Sequence, residues 1–193
     1  RIKIVLDSTG GQSINLNYNH SLTSFIYTLL RDSDEEYASF LHDDGYKFDG
    51  KKYKMFTFSM LIPEKYTIIN NNIVMYGKVI FYISSPMKEF LMNLVSGITA
   101  LDEVKISSGV FKVISVEVVK EPQYSDAMRF KCLSPVTIST AVLQEDKRLR
   151  KYNLYIEDKQ FVQGLKSNIL SKYKILNGDY PNDDRFEVRF FNI

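Results

Sequence analysis

The chain has 193 residues, and 45% of them are hydrophobic, which is enough to form the core of one domain or of two small ones. Its 25 basic and 23 acidic residues leave a formal net charge of only +2, which excludes a protein that binds nucleic acid as a global polycation. The single cysteine, Cys132, excludes an internal disulfide and fits a reducing compartment.

The N-terminal residues predict a strand and a turn, not a targeting segment. Residues 2–7 alternate apolar and other side chains and are followed by Ser-Thr-Gly-Gly, which is typical of a half-buried strand that ends in a turn. No run reaches the length of about 18 apolar residues that a membrane helix needs. We therefore expect a cytoplasmic protein that is neither exported nor inserted into a membrane.

Two helices are predicted after this strand. The first begins near Asn19 or Ser21, and its apolar positions recur at helical spacing, at Leu22, Phe25, Ile26, Leu29 and Leu30. This pattern turns Tyr27 away from the core. A capping box from Ser33 to Glu36 predicts the start of the second helix, and Gly45 predicts its end, with His42 in the last turn.

Two strands, a helix and a further strand are predicted next. The strands cover residues 53–61 and 73–84, the second with a bulge at Gly77, and the helix runs from Ser85-Pro86 to Gly97. Strict alternation over residues 110–121 predicts another strand. The order is βαββαβ, which is the pattern of a ferredoxin-like, or RRM-like, α+β domain.

The remaining residues predict a second, incomplete copy of this pattern. One or two strands are expected over residues 127–140, a short strand over 152–156, a helix over 157–173 and a last strand over 186–191. With a linker at Glu121-Pro122-Gln123, we expect an N-terminal domain of residues 1–122 and a C-terminal domain of residues 123–193.

The residues that could carry chemistry lie between Leu16 and Leu61. Both histidines, His20 and His42, are there, and no close pair of metal ligands is found in the sequence. The ferredoxin-like fold would bring Tyr27 and His42 near the lysines at positions 51–54. An imidazole, a lysine and a tyrosine suit cleavage of RNA through its 2′-hydroxyl, although a structural histidine is the alternative that spacing alone leaves open.

Two basic groups stand out in an otherwise balanced charge pattern. One lies in residues 47–54 and the other in residues 147–151. Solvated faces and RNA-binding surfaces are both compatible with such groups, and the 13 Tyr and 13 Phe residues supply rings for stacking on bases.

A family resemblance narrows these alternatives. The runs LNYNHSLTSFIYTLL, FLHDDGYKFDG and KMFTFSML closely resemble the N-terminal signature of the CRISPR-associated endoribonucleases that process repeat RNA, within the repeat-associated Cas superfamily. The segment FKCLSPVTIST, residues 130–140, resembles the start of that family's second domain. The resemblance implies tandem ferredoxin-like domains.

The resemblance also implies a site and a reaction. Its catalytic tyrosine, histidine and lysine match Tyr27, His42 as general base, and Lys54, and they cleave the repeat without metal or cofactor, leaving a 5′-hydroxyl and a 2′,3′-cyclic phosphate. Lys51 and Lys52 are the fallback lysines, and His20 is expected to be structural. The side chains that we expect to bind RNA are Lys51, Lys52, Arg129, Lys131, Lys147, Arg148 and Arg150.

The expected partners follow from the same resemblance. They are precursor CRISPR repeat RNA and, in an effector complex, other Cas proteins, with the chain itself a monomer or a homodimer. The family's C-terminal glycine-rich loop has no counterpart after Phe186, so we expect a truncated form or a short member. The alternatives are a non-cleaving RNA-binding scaffold subunit of a CRISPR effector complex and an unrelated ferredoxin-like protein that binds a small ligand or a partner.

Overall fold

The structure is a computed structural model that describes residues 1–143 and 148–191. The described chain forms two compact units. The first consists of Arg1–Gly45 and Lys54–Ser134, and the second consists of Tyr46–Tyr53 and the described residues from Pro135 onward. The division reflects packing, and the domain boundary after residue 122 stays a prediction.

Four helices, one π-helical turn and eleven strands are formed by the described residues. In order they are β1 (Ile2–Asp7), β2 (Gln12–Asn15), α1 (Asn19–Ser33), α2 (Glu35–Ser39), a π-helical turn (Phe40–Asp44), β3 (Tyr46–Phe48), β4 (Lys51–Tyr53), β5 (Thr57–Phe58), β6 (Ile62–Ile69), β7 (Asn72–Ser84), α3 (Lys88–Thr99), β8 (Glu103–Ile106), β9 (Gly109–Val118), β10 (Ser139–Leu143), β11 (Leu149–Asn153) and α4 (Lys159–Asn177).

The first unit is built on an antiparallel sheet of seven strands. Its long strands lie in the order β6-β7-β1-β9, in which β1 pairs with both β7 and β9. This is the strand order of a ferredoxin-like βαββαβ unit, with α1 and α3 as its two helices. The short strands β2 and β5 also pair with β7, and β8 extends the sheet beyond β9. The observed architecture is therefore the predicted α+β class.

One predicted strand was misplaced. The second strand of the βαββαβ unit is β6, whereas the sequence pattern placed it at residues 53–61. That stretch is interrupted because Met55 has a left-handed backbone with φ of 55°, and only β5 within it pairs with the sheet. Most of β6 is exposed, so it lacks the apolar alternation by which a strand is recognised.

Helices α1 and α3 cover one face of the sheet. The buried side chains of α1 are the five of the predicted apolar stripe, which is thereby confirmed. The Phe25 ring meets Phe81 of β7, with centroids 6.3 Å apart. Helix α1 also packs on α3, whose Phe90, Leu94 and Ile98 are buried. Burial of each large aliphatic side chain stabilises the fold by about 1.5–3 kcal/mol.

The end of α1 differs from the predicted capping box. Helix α1 continues through Ser33, and the N-cap of α2 is Asp34, whose Oδ1 accepts a hydrogen bond of 2.9 Å from the Tyr37 N–H. Asp34 can do this because its backbone is extended, with φ of −156°. The predicted stop at Gly45 is correct: its φ is 62°, and its N–H bonds to the Phe40 carbonyl at 2.7 Å.

The second unit contains two antiparallel hairpins, β3–β4 and β10–β11, and helix α4. Helix α4 starts two residues and ends four residues later than predicted, at Asn177, and its C-cap Gly178 has the left-handed φ of 79°. Residues 127–138 and residues 178–191 form no strand, so the strands predicted over 127–140 and 186–191 are largely wrong. Phe190 instead packs its ring against Phe161 of α4, at a centroid distance of 5.8 Å. Within the residues described, no helix is long and apolar enough to cross a membrane.

The packing of α1 against α3 yields a test at Gly97. A Cβ on Gly97 would lie 2.3 Å from the Leu29 carbonyl oxygen, a backbone atom that cannot turn aside. We expect Gly97→Ala to lower the free energy of unfolding by about 2 kcal/mol or more, measured by denaturant titration. The neighbouring exposed substitution Ser96→Ala is the control and should change it by less than about 0.5 kcal/mol. Equal effects of the two would contradict this account of the helix contact.

Candidate functional site

The helical hairpin places a tyrosine and a histidine side by side. Tyr27 lies on α1, outside its buried stripe, and His42 lies in the π-helical turn that follows α2. Their rings meet edge to face, with centroids 5.4 Å apart and an interplanar angle of 83°. A π-helical turn carries an extra residue relative to an α-helix, and such turns are frequent at functional sites. Tyr27 and His42 thus come together as a direct result of how the hairpin folds.

Lys54 is anchored to the same turn. Its ammonium donates hydrogen bonds to the carbonyl oxygens of Leu41 and His42. These carbonyls end a helical segment, where unpaired C=O groups carry partial negative charge and favour a cation. The next residue is also fixed, because the Ser85 hydroxyl donates to the Met55 carbonyl at 2.7 Å. The charge of Lys54 is therefore held at the backbone of His42.

The acid that follows the histidine orients its ring. His42 Nδ1 lies 2.8 Å from Asp43 Oδ1, and the two side chains are 70% and 73% exposed. An exposed pair of this kind adds little to stability, so its effect is on orientation. When Nδ1 carries the proton and donates to the carboxylate, Nε2 keeps its lone pair and can accept a proton.

Sequence reasoning missed this role, because it did not single out Asp43. The signal was present in the run FLHDDG, where an acid directly follows the histidine.

An aromatic cluster holds the tyrosine. Phe56 meets the Tyr27 ring edge to face at 6.1 Å and stacks on the buried Phe90 at 4.8 Å, with the two rings only 20° from parallel. Partial burial raises the pKa of the Tyr27 phenol. The tyrosine therefore keeps its proton at neutral pH. Phe56 is a second residue that the sequence analysis did not single out. It lies two residues after Lys54, in the run KMFTFSML that carries the family resemblance.

The predicted RNA-binding residues are spread over both units. In the second unit, Lys51 and Lys52 are exposed on β4. Arg150 is exposed on β11, and Arg148 is exposed directly before that strand. Arg129 and Lys131 are exposed in a stretch of the first unit that has neither helix nor strand. Lys147 lies outside the described residues.

Two further predictions concern His20 and metal ligands. His20 is exposed at the start of α1 and is not part of the Tyr27–His42 contact. Across residues 1–143 and 148–191, no three His, Cys, Asp or Glu side chains gather into a group that could hold a metal ion. The catalytic assignment of Tyr27, His42 and Lys54 stays a prediction, and their proximity is what the structure adds.

Comparisons with known proteins point in one direction. A family model described as CRISPR-associated protein Cas6, N-terminal, matches residues 13–117, and one described as CRISPR associated protein Cas6, C-terminal, matches residues 119–192. The chain is 30% identical over 193 residues to CRISPR-associated endoribonuclease Cas6 1 of Methanocaldococcus jannaschii, which is 99% of this chain and 72% of the relative.

Solved structures agree with the family models. The chain matches a solved structure from the characterization of a Cas6-related gene from Pyrococcus furiosus. The TM-score is 0.81 at 27% identity, over 99% of this chain and 76% of that one. Another, described as CRISPR associated protein Cas6, matches with a TM-score of 0.73 at 29% identity, over 94% and 72% of the two chains. Such neighbours have tandem ferredoxin-like domains, and the predicted fold class is confirmed.

The anchoring of Lys54 predicts a loss of stability when its charge is removed. Lys54→Met keeps the aliphatic stem but leaves the Leu41 and His42 carbonyls without their cation, so we expect the free energy of unfolding to fall by about 1–3 kcal/mol. Lys51→Met, at an exposed position on β4, is the matched control and should cost less than about 0.5 kcal/mol. Denaturant titration measures both, and a neutral Lys54→Met would rule out the anchoring role.

The raised pKa of Tyr27 predicts how stability changes in alkali. Above about pH 10 a tyrosine in the unfolded chain loses its proton, whereas the buried phenol of Tyr27 keeps it, so the unfolded state is favoured as the pH rises. We expect Tyr27→Phe to reduce the loss of unfolding free energy above pH 10, measured as a series of denaturant titrations. Below about pH 9 the two stability curves should run parallel; curves that stay parallel throughout would contradict the effect of burial.

Proposed function

Because the chain belongs to the Cas6 family of CRISPR-associated proteins, we propose that it is an endoribonuclease that cleaves CRISPR repeat RNA without a metal ion. In the proposed reaction a ribose 2′-hydroxyl attacks the neighbouring phosphate and releases a 5′-hydroxyl, leaving a 2′,3′-cyclic phosphate. The products are guide RNAs. The observation that carries the proposal is the convergence of Tyr27, His42 and Lys54 around one helical turn.

His42 is the proposed general base. The carboxylate of Asp43 accepts from Nδ1, which leaves Nε2 to take the proton of the 2′-hydroxyl. The same carboxylate stabilises the imidazolium that forms, as the aspartate does in a hydrolytic triad. Exposure of the imidazole suits this role, because a phosphate backbone must reach it from solvent.

Tyr27 is the proposed general acid. A phenol is protonated at neutral pH, and burial raises the pKa of Tyr27 further, so a proton is available for the leaving 5′-oxygen. The edge-to-face contact with His42 sets base and acid a few ångström apart.

Lys54 is the proposed electrostatic stabiliser. Negative charge builds on the nonbridging oxygens as phosphorus becomes five-coordinate, and a cation already held in place stabilises that charge without having to reorganise. The carbonyls of Leu41 and His42 hold the ammonium in that place. The exposed lysines and arginines of both units, such as Lys131 of the first and Arg150 of the second, would bind the phosphates that position the strand.

The alternative is a non-cleaving RNA-binding scaffold subunit of a CRISPR effector complex. The observation in its favour is that the Lys54 ammonium caps a helical turn, a role that a scaffold would keep without any catalysis. Such a protein would retain the fold and the basic side chains while making no use of the histidine.

Cleavage of repeat RNA in excess EDTA separates these two functions. We expect the wild type to cut the repeat and to leave a 5′-hydroxyl, whereas a substrate with a 2′-deoxy group at the scissile position should stay intact. His42→Ala should slow cleavage by about 10²–10⁴-fold, since it removes the general base. His20→Ala removes the other histidine and is the matched control, expected to cut at the wild-type rate.

The possible results exclude one another. Cleavage that EDTA abolishes, or that His42→Ala leaves unchanged, would refute the proposed mechanism. Tight binding of the repeat with no cleavage would support the scaffold alternative. Neither binding nor cleavage would refute both functions.

A further inference from the structure

The outer edge of β8 presents unpaired backbone groups. In an antiparallel pair, directly opposed residues alternate between those that exchange hydrogen bonds and those that do not. The Val113 N–H donates to the Asp102 carbonyl at 2.8 Å, and the register continues through Val104 opposite Phe111. Val104 and Ile106 therefore direct their backbone groups to β9. The N–H and C=O groups of Glu103 and Lys105 point away from the sheet.

This edge is accessible. β8 is the last strand of its sheet, and it pairs only with β9 among the described strands. A groove of about 440 Å³ runs between β8 and helix α1, whose wall there carries the small hydroxyl side chains of Ser21, Ser24 and Thr28. Glu103 and Lys105 are both exposed, and neither forms an ion pair in the part of the chain that the structure describes.

The charges on the outer edge of β8 are complementary to those of a second, antiparallel copy of the same strand. Glu103 and Lys105 lie two residues apart and therefore on the same face of β8, with the buried Val104 between them. When two copies of β8 run antiparallel with Val104 at the two-fold axis, Glu103 of each copy lies opposite Lys105 of the other. The same register places the outward N–H and C=O groups of these residues directly opposite each other, which allows four backbone hydrogen bonds.

We propose that a second copy of this chain pairs with β8 and joins the two sheets into one across a two-fold axis. Three registers align the outward backbone groups, but two of them place Glu103 opposite Glu103, or Lys105 opposite Lys105. Like charges directly opposed destabilise a strand pair. Only the register centred on Val104 pairs opposite charges throughout, so the sequence of the edge selects it. This is an isologous contact, which closes at two copies.

A four-residue strand gives a small contact. We therefore expect a weak and transient association, below the size of a stable interface. The inference does not depend on the proposed ribonuclease activity, because it uses no residue of that site. A failure of the cleavage assay would leave it untouched, and the reverse also holds.

Charge reversal tests the proposal through oligomeric state. Sedimentation equilibrium of the full chain, from low micromolar to submillimolar concentration, should show a monomer–dimer equilibrium for the wild type. Lys105→Glu and Glu103→Lys should each raise the Kd of the dimer by about tenfold or more, since each replaces two attractive pairs by two repulsive ones. The double variant E103K/K105E restores complementarity and should restore the dimer.

Mixing the single variants provides the sharpest result. The Glu103→Lys variant has lysine at both positions, and the Lys105→Glu variant has glutamate at both. A mixed dimer of the two forms two pairs of opposite charges, so the mixture should associate although neither variant does so alone. Glu103→Lys also faces Lys112 on β9 within its own chain. The double variant shares that clash, so its recovery separates a local effect from a loss of pairing.

A proline provides a test that is independent of charge. The Lys105 N–H points outward, so Lys105→Pro leaves the β8–β9 ladder intact while removing intermolecular hydrogen bonds, and it should abolish the dimer. Far-ultraviolet circular dichroism checks that the fold is kept. A wild type that stays monomeric over the whole range, or a dimer that withstands the single charge reversals, would overturn the proposal.

Discussion

The close approach of α1 to α3 is the constraint on which the first unit depends. Gly97 has no side chain, and the Leu29 carbonyl occupies the space that a Cβ would need. The backbones can therefore meet directly, and the apolar stripe of α1 reaches the sheet without a gap. Tyr27 lies two residues before Leu29 on the same helix. The depth at which α1 packs thus decides where its phenol lies, half-buried beside Phe56 and not free in solvent.

The second constraint acts at the end of the helical hairpin. A π-helical turn ends in carbonyl groups that need partners, and Lys54 supplies a cation to two of them. One interaction thus stabilises a helix end and concentrates positive charge at the residue that carries the imidazole. In this way a requirement of folding and a requirement of the proposed chemistry are met by the same side chain. Replacing Lys54 affects both its structural role and its proposed chemical role. Its effect on stability, compared with that of the Lys51 control, reports the first role, and the cleavage assay reports the second.

The two rings of the candidate site, those of Tyr27 and His42, lie in different environments. The His42 side chain is 70% exposed, so its imidazole is open to solvent. Tyr27 is partly buried, and burial disfavours its charged form, so the phenol remains a proton donor. Asp43 adds direction to the imidazole without burying it. In the proposed reaction this difference in environment would assign the base to His42 and the acid to Tyr27.

The sequence by itself determined whatever depends on local periodicity and composition: the stripe of α1, the stop at Gly45, the α+β class and the grouping of candidate residues between Leu16 and Leu61. These follow from the spacing of neighbours along the chain, which helices and turns express directly. Resemblance added the catalytic candidates. Only the tertiary structure decided the position of β6, the cap at Asp34, the π-helical turn, the anchoring of Lys54 and the contact of Phe56 with Tyr27. Each of these depends on which groups meet across the fold. The hydrogen-bonding groups of a helix cap, a strand edge or a lysine pair with the partner that packing brings within reach, and that partner can be distant in the sequence.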